Sequence, residues 1–543
     1  MIKLAGGRII DPAHDRDEVA DLWIEGEHIV EEPASARTSE TFDVSGKIVM
    51  AGGIDIHSHI AGANVNTARL LLPDQHRAHL QRPAKTPLTS LGWSTTQTGK
   101  LYAAMGFTTV VEPAVAPHCA LHAHLELTDT PTIDKAILAV LGNEDFLLAL
   151  LRRGEGAGAV ADYVGSTLQS CRALGVKVVN AGGAMAFKHN LRSFGLDDVV
   201  PQYGVTSRQI VVALQKAVVD LRIPHPLHVH CNNLGIPGNV KTAIDTINAL
   251  AGSPVHLAHV QFYSYGVEGE RGFSSAAAQL ADAVNGAPHV TVDVGQVMFG
   301  QTVTVSSDIL RQFAAMSFAS PRKSVIIDGD SNVGGIVPIR YRHSSFTNAV
   351  QWAAGLELFL LIDDPRKVFF TTDHPNGAPF TSYPELFGLL MDRDLRASWI
   401  ESLPKGAIAM TTLPAIKREY TLTEIATMTR SAPAQLLGLA DRGQLAPGAL
   451  ADIAVYDDLR DRPAMFRAAH LVFKDGQLVV RKGKIVQCLN GRTLTVSPSY
   501  DRSIEGRLDR YYDDLYGVSR RMFTVPHAAH GFLGDFKTVP CVA

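Results

Sequence analysis

Residues Ile48–Ile60 read IVMAGGIDIHSHI. Val49 and Met50, then Ile54 and Ile56, are apolar, and Gly52 and Gly53 between them allow a turn. Side chains alternate across a strand, so His57 and His59 leave on the same face, with Ser58 on the other. Two imidazoles side by side at a strand end supply half of a metal site. The same pair also occurs as two polar residues facing water, so the rest of the chain has to decide.

The chain has 543 residues, too many for one simple core, and one large unit plus a smaller one is expected. With 46% hydrophobic and 19% charged residues the composition is that of an ordinary folded protein. A net charge of −4 gives no footing for nucleic acid. Cys119, Cys171, Cys231, Cys488 and Cys541 are scattered without a CxxC, which excludes a zinc ribbon, an iron–sulfur run and a disulfide framework. The start, MIKLAGGRII, lacks a cationic segment followed by an apolar one, and no apolar run is long enough for a bilayer, so a cytoplasmic protein is expected.

Residues 1–47 read as short strands with turns, such as DLWIEGEHI (Asp21–Ile29), and ADIAVY (Ala451–Tyr456) and the Gln477–Val486 hairpin return that character near the other end. One small sheet unit from 1–47 and 441–495 is expected, with 48–440 between its halves and a polar, aromatic tail at 496–543 that could cover a neighbouring subunit. Within 48–440, apolar runs alternate with helical patterns: the opening stretch, then Phe107–Ala114, Lys135–Asn143, Val176–Ala181, Leu227–Asn232, Val255–Gln261, Val290–Val294 and Val368–Asp373. Eight such runs are the number that closes a (β/α)8 barrel, an α/β fold whose reacting groups gather at strand C-terminal ends.

Several polar residues sit at those ends. Lys177 enters the apolar run GVKVVNAGG, where a cation is costly unless the lysine snorkels. His228 and His230 repeat the HxH spacing in LHVHCNN. In VHLAHVQ, His256 and His259 are three apart, which puts them on opposite faces of a continuous strand. Asp373, in FFTTDHPNG, is either a turn-former or a ligand, and His374 could orient its neighbours through a hydrogen bond. His118, His122, His124 and Glu126 cluster after the second run and read as a solvated helix. GEGAG (Gly154–Gly158) lacks the Lys-Ser/Thr of a phosphate loop and reads as a connector.

The apolar strand, the Gly pair, Asp55 and the HxH resemble the first barrel strand of the amidohydrolase superfamily, with Ala51 where that superfamily usually has Pro. The resemblance implies a TIM-type barrel flanked by a composite β-sandwich. It also implies two divalent metals, most naturally Zn2+, on His57, His59, Lys177, His230, His259 and Asp373. Lys177 would carry a CO2-derived carboxyl group, and Asp373 would double as the proton shuttle. His228 would then be a packed neighbour. Longer stretches — DIHSHIAGANVNTAR, HVHCNNLGIPGN, LAHVQFYSYG and FTTDHPNGAPFTSYPELFG among them — resemble the A subunits of formyltransferase/hydrolase complexes and of formylmethanofuran dehydrogenases. That branch implies a hydrolase acting on the formamide of a methanofuran-type C1 carrier. Its partners would include a formyltransferase subunit, and neither nucleic acid nor membrane. Asn232, Asn233, Arg340, Arg342 and His343 are candidates for holding the carrier or formate. The alternatives are a molybdenum- or tungsten-linked dehydrogenase subunit, a cyclic-amide hydrolase of the dihydropyrimidinase or dihydroorotase kind, and a metal-free scaffold subunit.

Overall fold

The structure is a computed structural model. It describes residues 1–34, 38–71, 95–191, 194–306, 317–319, 327–328, 335–526 and 533–542. Eight parallel strands follow one another in chain order: Gly53–Asp55, Phe107–Val115, Asp134–Leu141, Gly175–Val179, Leu227–His230, Val255–Leu257, Val290–Asp293 and Val368–Phe369. They lie where the eight apolar runs place them. Ser58 and His374 form a parallel bridge, in which the His59 N–H donates to the His374 carbonyl at 2.8 Å, so the last strand meets the first and the sheet curls into a barrel. The strands are short and apolar because both faces are buried, one in the barrel interior and one under helices such as Ala157–Cys171 and Ser207–Asp220.

The opening stretch divides between two sheets. Lys47–Ala51 pairs with Ile2–Asp11 and Ile453–Asp457 in a nine-stranded sheet built from both chain ends. Its core is separate, with Leu4, Ile9, Phe42, Val49, Ile453 and Phe473. The chain then turns at Gly52 and enters the barrel at Gly53. A Cβ on Gly52 would lie 2.2 Å from Thr108 Oγ1, and one on Gly53 2.7 Å from the Phe107 ring, so nothing larger passes between the sheets there. Lys47–Ala51 thus falls on the small-sheet side, beyond the boundary expected at residue 47. At the other end Thr493–Val496 joins the barrel sheet beside the third strand, and Phe536–Val539 pairs outside it. Of the Gly154–Gly158 run, Gly154–Gly156 lies between the helices Asp145–Arg152 and Ala157–Cys171, and Ala157 and Gly158 open the second.

After the seventh barrel strand the chain makes a small antiparallel sheet from Gly300–Ser306, Ile327–Asp328 and Gly335–Tyr341. Helix Ala63–Leu70, which follows the HxH pair, packs on it through Ala68 against Val303, Val305 and Ile336. No helix of the described residues is long and apolar enough to cross a membrane.

Candidate metal centre

The six residues of the implied ligand set gather at the C-terminal ends of the barrel strands. His57 Nε2 lies 3.0 Å from Asp373 Oδ1 and 3.3 Å from Lys177 Nζ. His59 Nε2 approaches the same Asp373 oxygen at 3.3 Å. The rings of His57 and His259 are 5.3 Å apart, and those of His259 and His230 4.6 Å. One ligand atom each from His57, His259 and Asp373 lies within 4.8 Å of the others. Local backbone holds the ends together: Thr371 Oγ1 donates to the His57 carbonyl at 2.6 Å and accepts from the Asp373 N–H at 2.9 Å. Asn376 Nδ2 donates to Asp373 Oδ2 at 2.9 Å, which leaves Oδ1 to face the two histidines.

The electrostatics are those of a site short of cations. Burial pushes the Lys177 amine down to about 8, against the pull of Asp373, Asp293 and Glu112. Burial also works against the charged form of His59, yet Glu112 and Asp373 beside it lift it to about 9. Burial pushes His259 well below the ordinary histidine value. Burial alone would raise Asp373, but His259, His57 and His59 hold it well below the usual carboxylate range. His259 Nδ1 is buried without a hydrogen-bond partner. Imidazoles converging on an ionised carboxylate, with an orphaned buried nitrogen on His259, are the donor set that a divalent ion such as zinc takes. These residues fit such an ion.

Two acids and one histidine of this region were not legible in the sequence. Glu112, in the second strand, accepts from His59 Nδ1 at 3.0 Å. Asp293, at the end of the seventh, accepts from His57 Nδ1 at 2.9 Å and from the His259 N–H at 2.6 Å. Each is the lone acid in an apolar run, and that is the only signal either gives. His256 does not face away from the barrel interior, as its spacing from His259 implied. Its Nε2 lies 3.0 Å from Asp293 Oδ2 and its Nδ1 2.9 Å from Thr291 Oγ1. The strand stops at Leu257 and His259 takes φ 36°, so alternation does not carry from 256 to 259. His228 is a buried neighbour, its Nε2 3.0 Å from His57 Nδ1.

The remaining candidates are placed as follows. His374 Nδ1 accepts from the Phe380 N–H at 3.2 Å, and burial pushes its ring down to about 3, so it is neutral. Asn232 Nδ2 donates to Ser207 Oγ at 2.9 Å, and Asn233 Oδ1 accepts from the Phe194 N–H at 3.2 Å. Arg340, Arg342 and His343 are at least partly exposed, and the His343 ring rests 4.0 Å from that of Phe299. In the His118–Glu126 segment, His118 and His122 face solvent, whereas His124 is buried with Nε2 2.9 Å from the Cys171 carbonyl. Glu126 accepts from the Gly62 N–H at 2.6 Å and so braces the loop after the HxH pair.

The amidohydrolase family matches residues 40–487. The A subunit of the formyltransferase/hydrolase complex of Methylorubrum extorquens is 48% identical over all of both chains. A chain in the crystal structure of that complex, FhcABCD with methylofuran, superposes with a TM-score of 0.94 over all of both chains at 49% identity. Protein FwdA of Methanocaldococcus jannaschii is 37% identical over 96% of this chain and 95% of its own. With a barrel closed at the HxH pair and similarity running from end to end, the chain belongs to the amidohydrolase family, in the branch that contains the A subunit of the formyltransferase/hydrolase complex.

Proposed function

We propose that this chain hydrolyses the formamide of an N-formylated, methanofuran-type C1 carrier, a linear amide, to formate and the free amine. The reading includes a cytoplasmic complex with a formyltransferase subunit, in which residues 496–543 contact another subunit. The observation that carries the chemistry is the meeting of His57 Nε2 and His59 Nε2 on Asp373 Oδ1, with Lys177 Nζ beside the first. Full-length similarity to a subunit whose complex was solved with methylofuran supports the substrate class.

In this reading His57, His59, Lys177, His230, His259 and Asp373 hold two divalent ions, zinc by the chemistry of the donors. Such ions, when bound, lower the pKa of water and polarise a carbonyl oxygen, which an unactivated formamide requires. Lys177 is suited to carboxylation: burial lowers its amine to about 8, which enlarges its free-base share near neutral pH, and the free base adds to CO2 with loss of a proton to give an anionic carbamate. Asp373 takes a proton from the attacking water and later delivers it to the departing amine nitrogen. Asn376 keeps one Asp373 oxygen occupied, so the other handles the proton. Asn232, Asn233, Arg340, Arg342 and His343 are the proposed contacts to carrier and formate.

The test is formate release from the formylated carrier by the complex purified from its native source, together with elemental analysis. Two divalent ions per chain and a formyltransferase partner support the reading. A molybdenum- or tungsten-binding partner would move the chain to the dehydrogenase reading, to which the 37% identity to FwdA gives weaker support. Less than about one ion per chain in active protein would remove the metal mechanism.

A further inference from the structure

Both histidines of the HxH pair present Nε2 to Asp373, and each has a carboxylate on its other nitrogen. These acids come from opposite parts of the chain, Glu112 from the second strand and Asp293 from the seventh, and both are fully buried. Neither has a lysine or arginine as ion-pair partner among the described residues. Each uses both of its oxygens. Asp293 Oδ1 accepts from the His259 N–H, while Oδ2 faces His57 Nδ1 at 2.9 Å and His256 Nε2 at 3.0 Å. Glu112 Oε2 accepts from the Ile60 and Ala61 N–H groups at 2.6 and 3.0 Å, while Oε1 faces His59 Nδ1 at 3.0 Å and the Ala114 N–H at 3.1 Å.

We propose that Asp293 and Glu112 are positioning residues that fix the tautomers of His57 and His59. An oxygen that can only accept holds a proton on each Nδ1, so Nε2, which faces Asp373, is the nitrogen left to take a metal in place of its own proton. Asp293 reaches further, since its second oxygen also pins the backbone of His259, the residue that leaves strand geometry at φ 36°. This inference rests on the metal reading above and deepens it.

The geometry makes a prediction that simple structural support does not. In Asp293→Asn the amide oxygen has to stay on the His259 N–H, because a backbone donor has no alternative tautomer. Its NH2 then faces His57 Nδ1, a donor against a donor. His57 escapes by moving its proton to Nε2, the atom that would bind metal. Asp293→Ala imposes no such clash. The tautomer role therefore ranks zinc affinity as parent, then Ala, then Asn, whereas a packing role ranks the near-isosteric Asn above Ala. Glu112→Gln should act on His59 as Asp293→Asn acts on His57.

The experiment is zinc titration of chelator-stripped full-length protein against a competing dye, with the thermal midpoint of each metal-free variant measured in parallel. Expected are a loss of zinc affinity of about 10–100-fold for Asp293→Asn and for Glu112→Gln, a smaller loss for Asp293→Ala, and a metal-free Asp293→Asn that melts no lower than Asp293→Ala. Asp293→Asn binding zinc as tightly as Asp293→Ala, or tighter, would overturn the proposal. A stripped parent that takes up no zinc would overturn the underlying metal reading instead, so the two failures are distinguishable.

Discussion

The two ends of the barrel both bury charge, and they do it in opposite ways. At the floor, where the third strand begins, Asp134 meets Arg442 and lies 3.3 Å from Lys474 Nζ. Lys474 in turn reaches Asp452 at 3.1 Å and Asp475 at 2.8 Å, and Asp475 reaches Arg492 at 2.7 Å. Each floor carboxylate has a guanidinium or ammonium against it. At the roof Asp293, Asp373 and Glu112 stand among imidazoles, and the one amine, Lys177, is pushed toward its neutral form. A buried charge that only supports the fold is neutralised by its partners. The roof instead faces its three carboxylates with imidazoles and with no paired guanidinium or ammonium among the described residues, which is what a group awaiting cations looks like.

The largest test of that contrast is Lys177→Ala. If the roof is built for cations, this variant loses bound metal, and formate release falls by at least about 10³-fold, roughly 4 kcal/mol of barrier. Short carboxylic acids added to the buffer should restore part of both, and elemental analysis alongside the formate assay reads the result. A variant that keeps its metals and its rate would make the roof lysine a packing residue like those at the floor.

Asp373→Asn should separate holding a charge from moving a proton. The expected outcome is near-normal metal content with turnover lower by about 10²–10⁴-fold. A metal-replete variant within about tenfold of the parent rate would take Asp373 out of the proton path. At the floor, Arg442→Met should do the reverse. It leaves Asp134 to Lys474, which Asp452 and Asp475 already share, and costs about 3–5 kcal/mol of stability, seen in chemical denaturation, while turnover per folded molecule stays at the parent value.

The smallest effect concerns Glu144, a roof carboxylate outside the ligand set. Burial raises it from 4.5 to about 7, against the Gly142 and Asn143 N–H groups that favour its charge. Its folded value lies above its unfolded one, so between pH 4.5 and about 7 the native state holds more protons and stability falls as pH rises through that window. Glu144→Gln removes this slope. Its melting temperature should gain on the parent by a few degrees between about pH 4 and pH 8, in metal-free protein so that ligand binding does not intervene. Asp441 at the floor has the opposite sign. Burial would raise it, but Arg442 and Lys537 hold it at about 2, so its stabilisation is present above pH 3.8 and is lost only as pH falls through about 2.

What the sequence made legible follows from what each signal depends on. Apolar runs of strand length recur because both strand faces are buried, so the eight strands could be placed and the (β/α)8 fold followed. HxH depends only on alternation within one strand, and His57 and His59 do share a face toward Asp373. His256 was misplaced because alternation was carried past Leu257, where the strand ends. Glu112 and Asp293 escaped because a single acid in an apolar run acquires meaning only from a histidine on another strand. The opening stretch looked like one strand because its two halves, Lys47–Ala51 and Gly53–Asp55, are equally apolar, and nothing local says that they join different sheets. The tail was opaque for the same reason: Phe536–Val539 finds its partner only once Thr493–Val496 lies beside the third strand.

The bridge between Ser58 and His374 bears on how the chain is made. Thr371, whose hydroxyl holds the His57 carbonyl, is synthesised 314 residues after it. A ribosome therefore exposes both histidines of the pair long before the loop that closes the seam and brings Asp373 exists. During that interval the two imidazoles are an incomplete chelate with neither their carboxylate nor the last strand. The barrel seam is therefore among the last features to form: a chain cut before residue 371 would hold the HxH pair without the carboxylate and the last strand that face it in the finished barrel.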